Sequence, residues 1–255
     1  MRYDAASLFD LTGKVAVVTG GSRGLGREMC HAFAANGADV VVASRKLDAC
    51  VTVAAELEAA YGHRAIPVAC NVSHWQQCDE LVDTVYNEFG RCDIFVNNAG
   101  LSPLYPSLPE VTEALFDKVL AVNFKGPFRL MALVGDRMSK GDGGSIINVS
   151  SIAAVRPTAN EAAYAGAKAA LEVNTRAYAR AYGPKVRVNC IEAGSFMTDI
   201  SKAWDLDAFN KAAKTTIAAE RGGEAYEVVT SALYFASDAS SYTTGAIVRV
   251  DGGVL

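Results

Sequence analysis

The stretch K-V-A-V-V-T-G-G-S-R-G-L-G, residues 14–26, decides how the rest of the chain reads. Its first six residues are a β-branched, apolar run that reads as a buried strand. Its last seven place glycines at 20, 21, 24 and 26, running into a helix over 24–36 that Gly37 stops. Glycines let backbone approach a pyrophosphate closely, and the first turn of a helix offers it free N–H groups. The spacing is G-x-x-x-G-x-G rather than G-x-G-x-x-G, so placement between strand one and a helix carries the dinucleotide reading.

Working outward, short apolar runs alternate with longer helical stretches. Strands are predicted at 38–44, 64–70, 93–97, 144–150, 186–191 and 246–250, with Pro67 marking 64–70 as an edge strand. Helices are predicted near 47–61, 75–89 and 110–139, from 162 onward, and over most of 199–237. Continuous apolar strands alternating with helices predict an α/β fold, a single Rossmann-type doubly wound domain over 1–255. Its seven-stranded sheet is predominantly parallel, with helices on both faces. Ligands of such folds bind beyond the carboxyl ends of the strands.

Composition narrows the function classes. The chain has 255 residues, 51% hydrophobic and 20% charged, with net charge −4. An acidic balance without a basic stripe argues against nucleic acid as a partner. Six cysteines without a C-x-x-C pair, and only three histidines, argue against a metal site. M-R-Y-D-A-A-S-L-F-D lacks the apolar core of a signal peptide, and no apolar run reaches membrane-spanning length. The expectation is a reduced, cytoplasmic protein with no membrane partner.

The end of strand two selects the dinucleotide. An acidic residue about 20 positions beyond the glycines would grip a ribose 2′-hydroxyl and mark NAD. S-R-K at 44–46 has none. Arg45 can pair with a 2′-phosphate, and Arg23 can approach it from the glycine loop, so NADP(H) is expected over NAD(H).

Two further features stand out. In A-A-Y-A-G-A-K-A-A (162–170), Tyr164 and Lys168 share one helix face in a background of alanine and glycine. Asn123 sits inside a helical pattern four residues before Pro127, which cannot give its backbone hydrogen bond, so the helix should be disturbed there.

These motifs together resemble the short-chain dehydrogenase/reductase family. The resemblance runs nearly end to end: T-G-x-x-x-G-x-G at 19–26, N-N-A-G at 97–100, Asn123 in A-V-N-F-K-G, Ser151 thirteen residues before Tyr164, Y-x-x-x-K, and D-G-G at 251–253. It implies a catalytic set of Asn123, Ser151, Tyr164 and Lys168. Tyr164 would be the acid/base, with Lys168 lowering its pKa. Ser151 would hold the substrate oxygen, and Asn123 would hold a water that relays protons to Lys168.

The resemblance also implies cofactor contacts from Gly20, Ser22, Arg23, Gly24, Leu25, Gly26, Arg45, Asn71, Val72, Asn98, Ala99, Gly100, Tyr164, Lys168, Gly194, Phe196 and Thr198. The chain departs from the family at two places. Ala193–Gly194, after the unusual Glu192, replaces Pro-Gly after strand six. Asn71 replaces an Asp after strand three, and its carbonyl oxygen can still accept the adenine amino bond.

The activity this implies is interconversion of a secondary alcohol and a ketone. A β-ketoacyl-thioester reductase and a sugar or polyol dehydrogenase are the specific alternatives. A non-catalytic nucleotide sensor is the alternative on the same fold. Substrate walls are expected from 101–106, 155–161 and a lid over 199–222 containing Trp204 and Phe209 and hinged at Gly222–Gly223. Thr198 could instead cap a helix beginning at Asp199. Small and apolar residues on the helices over 162–182 and 224–236 predict a homo-oligomer, a tetramer or dimer.

Overall fold

The computed structural model describes residues 4–198, 201 and 205–254. In chain order the elements begin α1 (Ala5–Leu8), β1 (Val15–Thr19), α2 (Gly24–Ala35), β2 (Asp39–Ser44), α3 (Leu47–Tyr61), β3 (Ala65–Ala69), α4 (Trp75–Phe89) and β4 (Ile94–Asn97). They continue with α5 (Glu113–Leu120), α6 (Gly126–Lys140), β5 (Gly144–Ser151), α7 (Ala162–Tyr182), β6 (Val186–Ala193), β7 (Phe196–Met197), α8 (Leu206–Thr216), β8 (Gly223–Glu224), α9 (Val229–Ala236) and β9 (Ile247–Val250).

Every residue of β1 is buried. A strand apolar on both faces needs cover on both, and the sheet supplies it. Its order is β3-β2-β1-β4-β5-β6-β9, all pairs parallel. Met29 and Phe33 of α2, Leu57 of α3 and Phe235 of α9 pack on one face. Leu81 of α4, Leu130 of α6 and Leu171 of α7 pack on the other. Strand β3 lies at the edge, with Pro67 in register with Val42. The order reverses between β1 and β4, which opens a crevice at their carboxyl ends.

Three expectations about extent change. The helix predicted over 110–139 is a 3-10 turn at Leu108–Glu110, then α5, a π turn over Ala121–Lys125, and α6. Pro127 has no N–H for the carbonyl of Asn123, and the chain answers with a wider turn rather than a break. Strand β6 runs to Ala193, beyond the predicted 191, because Ala193 pairs with Ser151 on one side and Val250 on the other. The stretch 199–237 is less helical than predicted. Between α8 and α9 lie an antiparallel bridge, Ile217 to Val254, and β8, which pairs in parallel with β7. The Phe196 ring packs on Gly223, where a side chain's Cβ would come within 2.8 Å of it.

Gly126 joins the π turn to α6, and a Cβ there would collide with the Val72 carbonyl oxygen. Gly126→Ala should therefore destabilise the fold by about 1–3 kcal/mol through overpacking. Urea denaturation checks this, and an unchanged midpoint contradicts it.

Candidate active site

Thr19 closes β1 against β4. Its hydroxyl donates to the Val96 carbonyl at 3.0 Å and accepts from the Asn98 and Ala99 N–H groups at 3.1 and 3.2 Å. The Asn98 side chain donates back to the carbonyls of Thr19 and Gly20, at 2.9 and 3.3 Å. Gly20 has φ 67° and lies where a Cβ would come within 2.8 Å of the Asn98 amide nitrogen. A Cβ on Gly26 would strike both the Gly20 carbonyl and Asn98. The sequence singles out the glycines. Thr19 enters the sequence reading only as the first residue of the T-G-x-x-x-G-x-G match, with no role given to its hydroxyl.

Helix α2 opens here with Arg23 as N-cap in an extended conformation and no side chain bonded to the first turn. A glycine-lined cradle below an uncapped helix N-terminus fits a pyrophosphate. Ser22, Gly24 and Leu25 lie in this turn, and Gly24 faces Thr198, 3.5 Å from where its Cβ would be. Arg23 and Arg45 are exposed and unpaired among the described residues. No carboxylate stands in the S-R-K sequence that closes β2.

Beyond β3 lies Asn71, whose side chain forms a turn that the sequence reading does not foresee. The Asn71 side-chain oxygen accepts from the Ser73 N–H at 3.2 Å and from the Ser73 hydroxyl at 2.9 Å. This local turn engages the oxygen that is expected to meet an adenine amino group. Val72 is buried beside Gly126.

Deeper in the crevice, the π turn buries Asn123 completely. Its side chain donates to the carbonyls of Leu101 and Val119, at 2.8 and 2.9 Å, and accepts from the Leu101 N–H at 3.1 Å. Asn123 thus grips both backbone groups of Leu101 and fixes the loop after N-N-A-G. A Cβ on Gly100 would sit 3.3 Å from the Asn123 side-chain oxygen and 3.7 Å from the Lys168 ammonium.

Lys168 is 3% exposed and donates to the Val149 carbonyl at 2.7 Å. Burial pulls its pKa down to about 8, against the opposing influence of Cys190 and Glu172. Its ammonium lies 5.7 Å from the centre of the Tyr164 ring. Ser151, the last residue of β5, accepts from the Ala153 N–H at 3.2 Å through its hydroxyl.

Lys168 is expected to lower the Tyr164 pKa; the influences on the phenol that the chain itself supplies are burial, Ser151 and Glu161. Burial pushes the phenol up to about 12, with the Ser151 hydroxyl pulling the other way and Glu161 adding to the rise. The Lys168 ammonium is engaged by Val149 rather than by the phenol oxygen. The arrangement can deliver a proton from a neutral phenol to an oxygen held beside Ser151.

The far wall is the segment after β6. A Cβ on Gly194 would meet Asp251 at 2.5 Å, so this turn packs directly on the D-G-G ending. Phe196 is buried, and the Thr198 N–H donates to the Ser201 hydroxyl at 3.1 Å. Residues 199, 200 and 202–204 lie outside the described residues, so the expected helix start at Asp199 and the lid residue Trp204 do too. Gly222, expected as part of a hinge, lies against Met197 and Phe209. In the segment 101–106, Tyr105 is buried and its hydroxyl accepts from the Ala163 N–H at 3.4 Å, one residue before Tyr164.

Among the described residues, no group of His, Cys, Asp and Glu is placed to hold a metal, and no helix is long and apolar enough to cross a membrane. All six cysteines are free and buried.

The chain is similar to known proteins over almost its whole length. A family model described as enoyl-(acyl carrier protein) reductase matches residues 20–255. The short chain dehydrogenase/reductase astE of Aspergillus oryzae is 36% identical over 96% of each chain. The solved structure of a 3-oxoacyl (acyl-carrier-protein) reductase from Agrobacterium tumefaciens, with NADP bound, superposes with a TM-score of 0.93. It is 28% identical and covers 99% of this chain and 98% of that one. A 7α-hydroxysteroid dehydrogenase complexed with NADH and 7-oxo glycochenodeoxycholic acid superposes at 0.94. It is 31% identical over 99% of this chain and 98% of that one.

The raised phenol can be checked without a substrate. The ultraviolet difference between wild type and Tyr164→Phe, both free of cofactor, should show no phenolate up to the free-phenol value of about 10. Phenolate absorbance appearing near neutral pH contradicts the geometry described.

Proposed function

The chain belongs to the short-chain dehydrogenase/reductase family, and from that premise we propose that it interconverts a secondary alcohol and a ketone with NADP(H), Tyr164 serving as acid and base. When bound, the cofactor supplies or accepts the hydride. The observation that carries the reading is the gathering of Ser151, Tyr164 and Lys168 at the carboxyl end of β5, against a loop fixed by Asn123.

Each chain residue has a separable part. Ser151 positions the substrate oxygen by hydrogen bonding. Tyr164, a neutral phenol at rest, donates its proton to that oxygen during ketone reduction and takes it back in the reverse direction. Lys168 holds positive charge next to the phenol and beside Gly100, where ribose hydroxyls would lie. Asn123 shapes the loop over Gly100 and carries the carbonyl that Pro127 cannot bond, a place for a relay water. Asn98 holds the glycine loop in the form that leaves room for the pyrophosphate.

Cofactor preference rests on charge. Arg23 and Arg45 flank the place of a 2′-phosphate, and no carboxylate opposes it. The substrate class proposed is a small alcohol or ketone, with the region 199–222 covering it. Val173 on α7, Phe116 on α5 and Phe128 on α6 are exposed apolar side chains, which supports association of the chain with copies of itself.

Two substitutions test this. Tyr164→Phe keeps the ring and removes the transferable proton, so turnover should fall by about 100-fold or more while NADPH still binds. Near-normal turnover removes the mechanism. Arg45→Asp should weaken NADPH binding by about tenfold or more, since one charge-assisted phosphate contact contributes about 1.5–3 kcal/mol. Equal use of NAD and NADP by the wild type contradicts the cofactor assignment.

A further inference from the structure

The segment L-S-P-L-Y-P, residues 101–106, follows Gly100 out of the crevice and is held at two points. At its start, Asn123 accepts from the Leu101 N–H at 3.1 Å and donates to the Leu101 carbonyl at 2.8 Å. Near its end, Tyr105 is the one buried residue of the six, 7% exposed, while Leu104 beside it is 68% exposed. Pro103 and Pro106 lie on either side of Tyr105. Each fixes its own φ and restricts the residue before it to extended backbone. A stiffened loop therefore turns a single aromatic side chain inward.

The Tyr105 hydroxyl ends at the first turn of α7, where it accepts from the Ala163 N–H at 3.4 Å. A helix cannot bond the N–H groups of its first turn internally. Their usual partner is a side chain at the N-cap. Here that side chain does not serve. Glu161, the N-cap of α7, has φ −139° and ψ 20°, outside the extended form from which a cap reaches forward, and makes no bond to the turn. Its carboxylate accepts instead from the Thr158 hydroxyl at 3.2 Å. No acidic residue stands in the first turn either. The oxygen that meets Ala163 is thus brought by another part of the chain.

Position along the helix decides what this contact governs. Tyr164 is the third residue of α7 and lies in the first turn. Lys168 is the seventh, and the Val149 carbonyl holds its ammonium at 2.7 Å. A first turn without a cap opens locally at low cost, whereas the next turn is held by the ladder of the helix itself. Loss of the Tyr105 oxygen therefore loosens the phenol before it loosens the ammonium.

We propose that Tyr105 is a positioning residue for Tyr164. It caps α7 from outside the helix and couples the loop gripped by Asn123 to the turn that carries the phenol. It acts through the α7 backbone and touches neither substrate nor cofactor. The inference rests on the acid/base role given to Tyr164 above, and its tests separate the two.

The direct measurement is amide hydrogen exchange, resolved to single residues, on the cofactor-free full chain. In wild type the Ala163 amide should exchange more slowly than in a free peptide. In Tyr105→Phe, which keeps the ring, it should exchange about fivefold to tenfold faster, as loss of one neutral hydrogen bond implies. Amides from Leu171 to Thr175, deeper in α7, should keep their wild-type rates and show that the variant is folded. Exchange of Ala163 at the free-peptide rate in wild type, or at an unchanged rate in Tyr105→Phe, overturns the cap. The wild-type rate bears on the cap even where the variant fails to fold.

The second measurement is steady-state NADPH oxidation with a panel of small ketones and β-keto esters, alongside NADPH affinity by fluorescence. Tyr105→Phe should lower kcat by about fivefold to tenfold, with KM for the best ketone and NADPH affinity kept within about twofold. A merely structural role would lower the melting temperature and leave kcat unchanged. A substrate contact would raise KM and leave kcat unchanged. Either result overturns the proposal. Absence of turnover by wild type on every member of the panel would count against the functional reading instead, with Ala163 exchange still deciding the cap.

Discussion

The site depends on keeping one positive charge inside the protein. Lys168 is almost fully buried, and the Val149 carbonyl at 2.7 Å accepts its hydrogen bond. An ammonium removed from water is costly unless fixed dipoles or an opposite charge replace the solvent. The architecture around it can be understood as that replacement. Strand β5 offers a carbonyl, and the π turn holds the Gly100 loop in place beside the ammonium through Asn123.

The same constraint links the sheet to the crevice. Strands β1 and β4 end together, β5 and β6 run three residues further, and each pair of ends is tied sideways. Thr19 and Asn98 join β1 to β4, while Ser151 and Ala193 lie in register between β5 and β6. Where the family has proline, Ala193 keeps an N–H, and the chain continues as strand one residue past Glu192. The residue that precedes this substitution is the one clamped by Arg249. A rigid β6 end and a buried acid therefore occur together, next to the strand that carries Ser151.

Much of this was legible in the sequence because the signals were local. Apolar runs gave the strands, Pro67 gave an edge, and Asn123 with Pro127 gave a disturbed helix. The i, i+4 spacing placed Tyr164 and Lys168 on one helix face. What could not be read depends on partners distant in sequence. Nothing local to Glu192 names Arg249 as its counter-charge. The Asn71 oxygen also accepts from Ser73, two residues on, a turn that the sequence reading does not foresee. The Tyr164 phenol was expected to be lowered by its helical neighbour, yet spacing does not reveal that Lys168 turns to Val149 or that burial dominates the phenol. The pairing of β7 with β8 depends on the Phe196 ring lying over Gly223, a contact between residues far apart in the chain.

If burial of one ammonium organises the site, its protonation is the quantity to measure. Nitrogen-15 NMR of lysine side chains in the cofactor-free protein, assigned with Lys168→Met, follows that group alone. The account predicts a Lys168 titration midpoint near 8. A midpoint at the ordinary lysine value of about 10.4 would mean that the ammonium is solvated, and would contradict the account.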